Sequence, residues 1–198
     1  MVSELPSPST FAFAFAPLNP QPSTLMRKLV LIASSAFGLG YSPFASGTCG
    51  ALLGIPLGLA VTVLHGHLLW QIAIVAVLTL LAIPICDAAE KIYGVKDDGR
   101  IVADEYMLLP ICFVGHAPLW RMILSGGDAA CRAWLFIAVI FVISRIVDIL
   151  KPAPARQIQA VHGGLGVVLD DLVASIYSWI LIWGVSGLVL GSSRYAAF

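Results

Sequence analysis

Charge is scarce in this sequence. Of 198 residues only 11% are Asp, Glu, Lys or Arg, 59% are hydrophobic, and the mean hydropathy is +0.94. Soluble domains carry about 25% charged residues, so an ordinary water-soluble globule is excluded and a bilayer-embedded chain is implied. Neither sign is in excess, since 11 basic and 11 acidic residues give a formal net charge of zero. A nucleic-acid binder shows a basic excess, so no nucleic-acid partner is expected. The four cysteines (Cys49, Cys86, Cys112, Cys131) form no Cys-x-x-Cys pair, and three lie in apolar runs. There a thiol behaves as a small hydrophobe, so neither a disulfide framework nor a zinc site is expected. A secretory signal is missing too. No basic stretch precedes the Phe-Ala run of residues 11–16, and Pro17, Pro20 and Pro22 follow it. Residues 1–25 are expected to be a disordered or loosely attached tail, and 26–198 one membrane-embedded domain.

What the chain does contain is a series of apolar runs. Cys49–Leu64 and Leu68–Cys86 are separated only by the link around Gly66, which predicts an antiparallel pair. Tyr106–Leu119 is shorter, and Ala133–Leu150 and Leu172–Leu190 are again long. A bilayer core takes about 17 to 25 helical residues. The expected fold is therefore all-α: a polytopic membrane bundle of about five transmembrane or half-spanning helices. Leu29–Phe37, preceded by Arg27 and Lys28, adds an interfacial N-terminal helix. Basic residues gather on the cytoplasmic side of membrane proteins. On a five-helix path Arg27, Lys28, Lys91, Lys96, Arg100, Lys151 and Arg156 share one side, leaving Arg121, Arg132 and Arg194 on the other. The N-terminus is thus expected in the cytoplasm, together with the loops 38–50, 97–105 and 145–171.

Most of the few charges sit in motifs on that side. Asp104-Glu105 and Asp170-Asp171 each stand at the start of an apolar segment. Carboxylates there cap a helix and complement its dipole; two such pairs also make an oxygen-rich set suited to a hard cation such as Mg²⁺. Arg145, Asp148 and Lys151 are spaced by three, so Asp148 can reach both cations along one helix face. At membrane depth each charge costs about 2.5–3.5 kcal/mol even on lenient scales, which a ligand site explains better than a self-neutralising ladder. His162, before Gly163, Gly164 and Gly166, is a candidate ligand, acid or plain loop residue. Gly47-Thr48 resembles an anion nest at a helix N-terminus, though no Gly-Lys-Ser/Thr makes it a P-loop.

Taken in order, the motifs resemble the phosphatidylglycerophosphatase A family of bacterial membrane phosphatases. The resemblance rests on Phe37-Gly-Leu-Gly-Tyr-Ser-Pro43 with Gly47-Thr48 and Gly50, on Asp98-Gly-Arg-Ile-Val-Ala-Asp-Glu105, on Arg145-Ile-Val-Asp-Ile-Leu-Lys-Pro152, and on His162-Gly-Gly-Leu-Gly-Val-Val-Leu-Asp-Asp171. It covers residues 36–186. Met107-Leu108 stand where the family pattern has smaller residues.

The resemblance implies Mg²⁺-dependent hydrolysis of the phosphomonoester of phosphatidylglycerophosphate at the bacterial inner membrane, with a phospholipid substrate and the bilayer as partners. The metal ligands are then Asp104, Glu105, Asp170 and Asp171. Arg145, Lys151, Arg156, Gly47 and Thr48 bind the substrate phosphate, and Asp148, Lys151, His162 and Asp171 are the catalytic candidates. Water attack and an aspartyl-phosphate intermediate both stay open. The alternatives are a small transporter or scaffold, and a CDP-alcohol phosphatidyltransferase, whose signature Asp98-Gly99-Arg100 does not continue.

Overall fold

The computed structural model describes residues 23–64, 67–96, 98–116, 118–158 and 163–190, and among these residues the chain is helical with no strand. Helix α1 (Thr24–Ser34) starts where the Ser23 hydroxyl accepts the Met26 N–H at 3.3 Å. The helix therefore begins earlier than the interfacial stretch read from the sequence, and it draws in the end of the expected tail; the rest of that tail lies outside the described residues. Among the described residues three helices are long and apolar enough to cross a bilayer: α4 (Leu68–Tyr93), α7 (Gly127–Leu150) and α9 (Gly164–Leu190). At 1.5 Å per residue they run about 36–40 Å, against a hydrocarbon core of about 30 Å.

The other two expected spans differ in form. Cys49–Leu64 is built as two helices end to end, α2 (Ser46–Ala51) and α3 (Gly54–Thr62). The joint has a local cause. Pro56 falls in the first turn of α3, where a missing N–H costs nothing, and tightened bonds from Leu53 N to Gly50 O and from Ile55 N to Leu52 O close the step.

The run Tyr106–Leu119 is not one helix. It comprises α5 (Ala103–Leu108), a 3-10 helix (Leu109–Phe113) holding Pro110, an irregular stretch, and the start of α6 (Leu119–Ser125). Irregular backbone at membrane depth is tolerated only when the protein itself buries and satisfies it. Leu108, Leu109, Cys112, Phe113 and His116 are all buried. Gln71 Oε1 accepts the Gly115 N–H at 2.8 Å while its Nε2 donates to Leu64 O at 3.1 Å, and Trp179 Nε1 donates to Val114 O at 2.9 Å. Helix α3 can lie against this segment because Gly58 leaves room: a Cβ there would stand 2.3 Å from Phe113 Cδ2.

Long helices α7 and α9 pack along one another, and α9 also packs on α4. The α4–α9 approach is close at Gly164, where a Cβ would lie 2.4 Å from the Asp87 N and 2.5 Å from the Ile83 O. Helix α7 ends at Lys151, in left-handed conformation (φ 40°), with Pro152 and Pro154 following, and the short α8 (Ala155–Ile158) precedes α9. The result places the start of α5, the end of α7 and the start of α9 at one end of the bundle, with α2 beside them.

Candidate active site

The approach to α5 is fixed by a charged turn. Asp98 accepts the Arg100 backbone N–H at 3.0 Å, its Nε at 2.7 Å and its Nη2 at 2.6 Å, and the Arg100 guanidinium lies 3.9 Å over the Tyr93 ring. These bonds hold the Asp98 carboxyl below the usual carboxylate range. Val102 N then donates to Ser34 O at 2.8 Å, and α5 opens with Asp104 and Glu105 in its first turn. Asp98-Gly99-Arg100 thus works as a bracket that aims the next two carboxylates.

Glu105 meets Arg145 from α7, with Nη1 to Oε2 at 3.1 Å, and the same Nη1 stands 3.3 Å from Asp148 Oδ2. All three side chains are largely buried, at 13%, 18% and 15% exposure for Arg145, Glu105 and Asp148. Gly47 explains how α2 comes so near: a Cβ there would lie 2.1 Å from Glu105 Oε1. The residue read as part of an anion nest is therefore in contact with a carboxylate. Thr48 follows it, half-buried on α2, and does not line the cavity described below.

The expected ladder Arg145–Asp148–Lys151 forms only in its first half. The left-handed turn at Lys151 takes that side chain off the α7 face, and its Nζ lies 2.5 Å from Asp170 Oδ2 on α9. Burial lowers the Lys151 pKa, but the bond it donates to Asp170 and the charges of Asp171, Asp170 and Asp148 outweigh it, and the net shift is upward. Asp170 and Asp171 are both buried, as is Asp104.

Between these groups lies a cavity of about 10 Å³, with Glu105, Ser144, Arg145, Asp148, Asp171 and Ser175 in its wall. That is about the volume that admits one water-sized occupant. Arg145 lines this cavity, and among the described residues its buried Nε has no hydrogen-bond partner.

Of the residues singled out from sequence, Asp104, Glu105, Arg145, Asp148, Lys151, Asp170 and Asp171 come together here. Arg156, on α8, is exposed and outside the cavity wall. His162 lies outside the described residues. Sequence reasoning passed over Ser144 and Ser175. Their signal was available, since each stands four residues from a site aspartate, Asp148 and Asp171, on the same helix face. Cys86, read from the sequence as a small hydrophobe, is a buried α4 thiol close to Asp104 and Asp171.

Does this donor set suit Mg²⁺? Its chemistry does. Asp171 feels the charges of Asp104, Asp148, Asp170 and Glu105, and among the described residues Arg145 pairs with Glu105 and Asp148 and Lys151 with Asp170. A cluster of buried carboxylate oxygens is the donor chemistry that a hard divalent cation takes. Among the described residues no three acidic, His or Cys side chains are already gathered at ligand geometry; Glu105 and Asp170 are turned to Arg145 and Lys151 instead.

Comparison with known proteins bears on the same residues. The profile of the family described as "Phosphatidylglycerophosphatase A" matches residues 32–186. A protein of Bacteroides thetaiotaomicron named "Putative phosphatidylinositol-3-phosphatase" is 37% identical over 166 residues, covering 82% of this chain and 96% of that protein. The phosphatidylglycerophosphatase A of Escherichia coli is 37% identical over 145 residues, covering 72% and 74%. That of Haemophilus influenzae is 29% identical over 168 residues, covering 84% and 94%. No solved structure matches the chain at a significant level.

Proposed function

The chain belongs to the phosphatidylglycerophosphatase A family and is a phosphatase; from that premise we propose that it removes the terminal phosphate of phosphatidylglycerophosphate, leaving phosphatidylglycerol. The observation that carries this reading is Arg145. It is held between Glu105 and Asp148 at the wall of a one-water cavity. A planar guanidinium so placed suits a phosphate dianion.

In this mechanism Arg145 and Lys151 neutralise the phosphoryl group, and Asp148 holds Arg145 in position. Arg156 and Gly47-Thr48, the other phosphate contacts read from the sequence, do not line the cavity. Asp104, Glu105, Asp170 and Asp171 would hold one or two Mg²⁺ ions, which when bound polarise phosphoryl oxygens and lower the pKa of water. A water or aspartate oxygen bonds to phosphorus as the bond to the glycerol oxygen breaks. The departing alkoxide takes a proton, with His162 the candidate donor. An aspartyl ester, if formed, is opened by water in a second step.

The orientation follows from charge. Lys91, Lys96, Arg100, Lys151 and Arg156 lie on or beside the elements that carry the site, and this basic bias supports a site facing the cytoplasm at the bacterial inner membrane. Phosphate release by the purified protein tests the reading, with phosphatidylglycerophosphate and phosphatidylinositol 3-phosphate offered separately, each in Mg²⁺ and in EDTA. Turnover of the first lipid, lost in EDTA, is expected. Preference for the inositol lipid would move the substrate to the one in the Bacteroides relative's name, and full activity in EDTA would remove the metal.

A further inference from the structure

Residues 36–45, between α1 and α2, carry strain and apolar display together. Ala36, Phe37 and Ala45 are non-glycine residues in left-handed backbone, with φ of 49°, 57° and 46°, a conformation that side chains resist. Phe37 is 77% exposed and Phe44 is 83% exposed, with Leu39 and Tyr41 exposed between them. Helix α1 continues the surface. Leu25, Leu29 and Ile32 follow the four-and-three spacing of one helix face, and all three are exposed.

The inner side of the same segment is pinned. Ala36 and Gly40 are buried, and a Cβ at Gly40 would lie 2.3 Å from the Arg100 carbonyl oxygen. Tyr41 and Tyr93 share a hydroxyl hydrogen bond at 2.8 Å, and Tyr106 OH donates to Ala33 O at 3.0 Å. The segment is thus fastened to the turn that aims Glu105, and it runs on within three residues to Gly47, which touches Glu105.

In water both the strain and the displayed rings are unfavourable. Charge and position identify what covers them. No Asp or Glu occurs between Glu4 and Asp87, while Arg27 and Lys28 lie on α1, a basic, acid-free segment that complements an anionic lipid surface. Helix α1 packs on α4, whose Val77, Leu80 and Leu81 form an exposed apolar face, so the patch is continuous with a membrane-facing wall. Tyr rings favour the boundary between head groups and acyl chains, and Phe and Leu side chains of interfacial segments bury into it.

The geometry points to residues 25–44 as a lip seated in the head-group boundary of an anionic leaflet. Phe37 and Phe44 are its inserted side chains, and it delivers the lipid head group beside Glu105 and Arg145. The seating stands independently; the delivery rests on the lipid-phosphatase reading.

A nitroxide at position 44 tests the seating, in a Phe44→Cys, Cys49→Ser, Cys131→Ser protein in phosphatidylcholine–phosphatidylglycerol vesicles. Collision with oxygen is expected to exceed collision with a water-soluble nickel chelate, and to reverse for a label at Lys96→Cys. Equal chelate access at both positions overturns the lip, and spin–spin broadening gives the face to a second copy of the chain instead. For delivery, Phe37→Ala/Phe44→Ala should raise the apparent KM for long-chain substrate in vesicles about tenfold. Its kcat, and its kinetics on a monomeric dihexanoyl substrate, should stay unchanged. An equal loss on both substrates makes the lip merely structural. An inactive wild-type protein refutes the lipid-phosphatase reading and with it delivery, while the nitroxide result still decides the seating.

Discussion

The two ends of the bundle bury polar groups in opposite ways. At the end away from the site, Gln71 closes the Gly115 N–H and the Leu64 carbonyl, and Trp179 closes the Val114 carbonyl. Those groups are neutral and matched one to one, which is how a membrane protein makes irregular backbone harmless. At the other end Asp104, Glu105, Asp148, Asp170 and Asp171 are set against Arg145 and Lys151. Buried charge is a poor source of stability and a common mark of function in membrane proteins. The difference teaches that polarity inside this bundle has two uses, and substitutions should separate them.

The largest effect is expected at Arg145. Arg145→Ala leaves Glu105 and Asp148 facing each other in a largely buried place, so it should abolish phosphate release and cost about 3–5 kcal/mol of stability. Thermal melting in detergent together with the phosphatase assay reads both. Next comes Gly47→Ala. Its new Cβ meets the Glu105 carboxylate, which must shift within its pair with Arg145, so melting should fall, but less than for Arg145→Ala. Turnover should fall about 100-fold, as expected when a catalytic group is displaced by about 1 Å. A Gly47→Ala protein with full activity would free α2 from any part in the site.

The smallest effect on activity is expected at the opposite end. Gln71→Leu strips partners from Gly115 N–H and Leu64 C=O and should cost about 1–3 kcal/mol for each group left unsatisfied. Activity per folded molecule should stay constant. If Gln71→Leu changed kcat instead, the two ends would not be separate in function.

The site was more legible in the sequence than the path of the chain between its ends. Asp104-Glu105, Arg145-Ile-Val-Asp148 and Asp170-Asp171 stood out because charges are rare against so apolar a background, and the fold brings all of them to one end. The division of Arg145 and Lys151 between different carboxylates was not legible, because it depends on a left-handed residue at the end of α7. Tyr106–Leu119 reads as a span by hydropathy alone. Its break into α5 and a 3-10 helix depends on burial by α3 and α9 and on distant partners such as Gln71 and Trp179, which local sequence does not carry. Pro110 was the one local hint. The contact of Gly47 with Glu105 likewise joins residues far apart in the chain, and a glycine gives no sign of which neighbour it makes room for.

The account's central claim is that the buried carboxylates serve chemistry. Asp171→Asn tests it most directly: the change keeps the shape of a buried cavity-wall residue and removes its charge. Turnover of phosphatidylglycerophosphate and thermal melting should be measured on the same preparation. Loss of turnover by about 1,000-fold or more, comparable with removal of a principal transition-state contact, with melting unchanged or raised, is the predicted result. A protein that melts markedly lower while its folded fraction keeps wild-type turnover would contradict the claim and make the cluster structural.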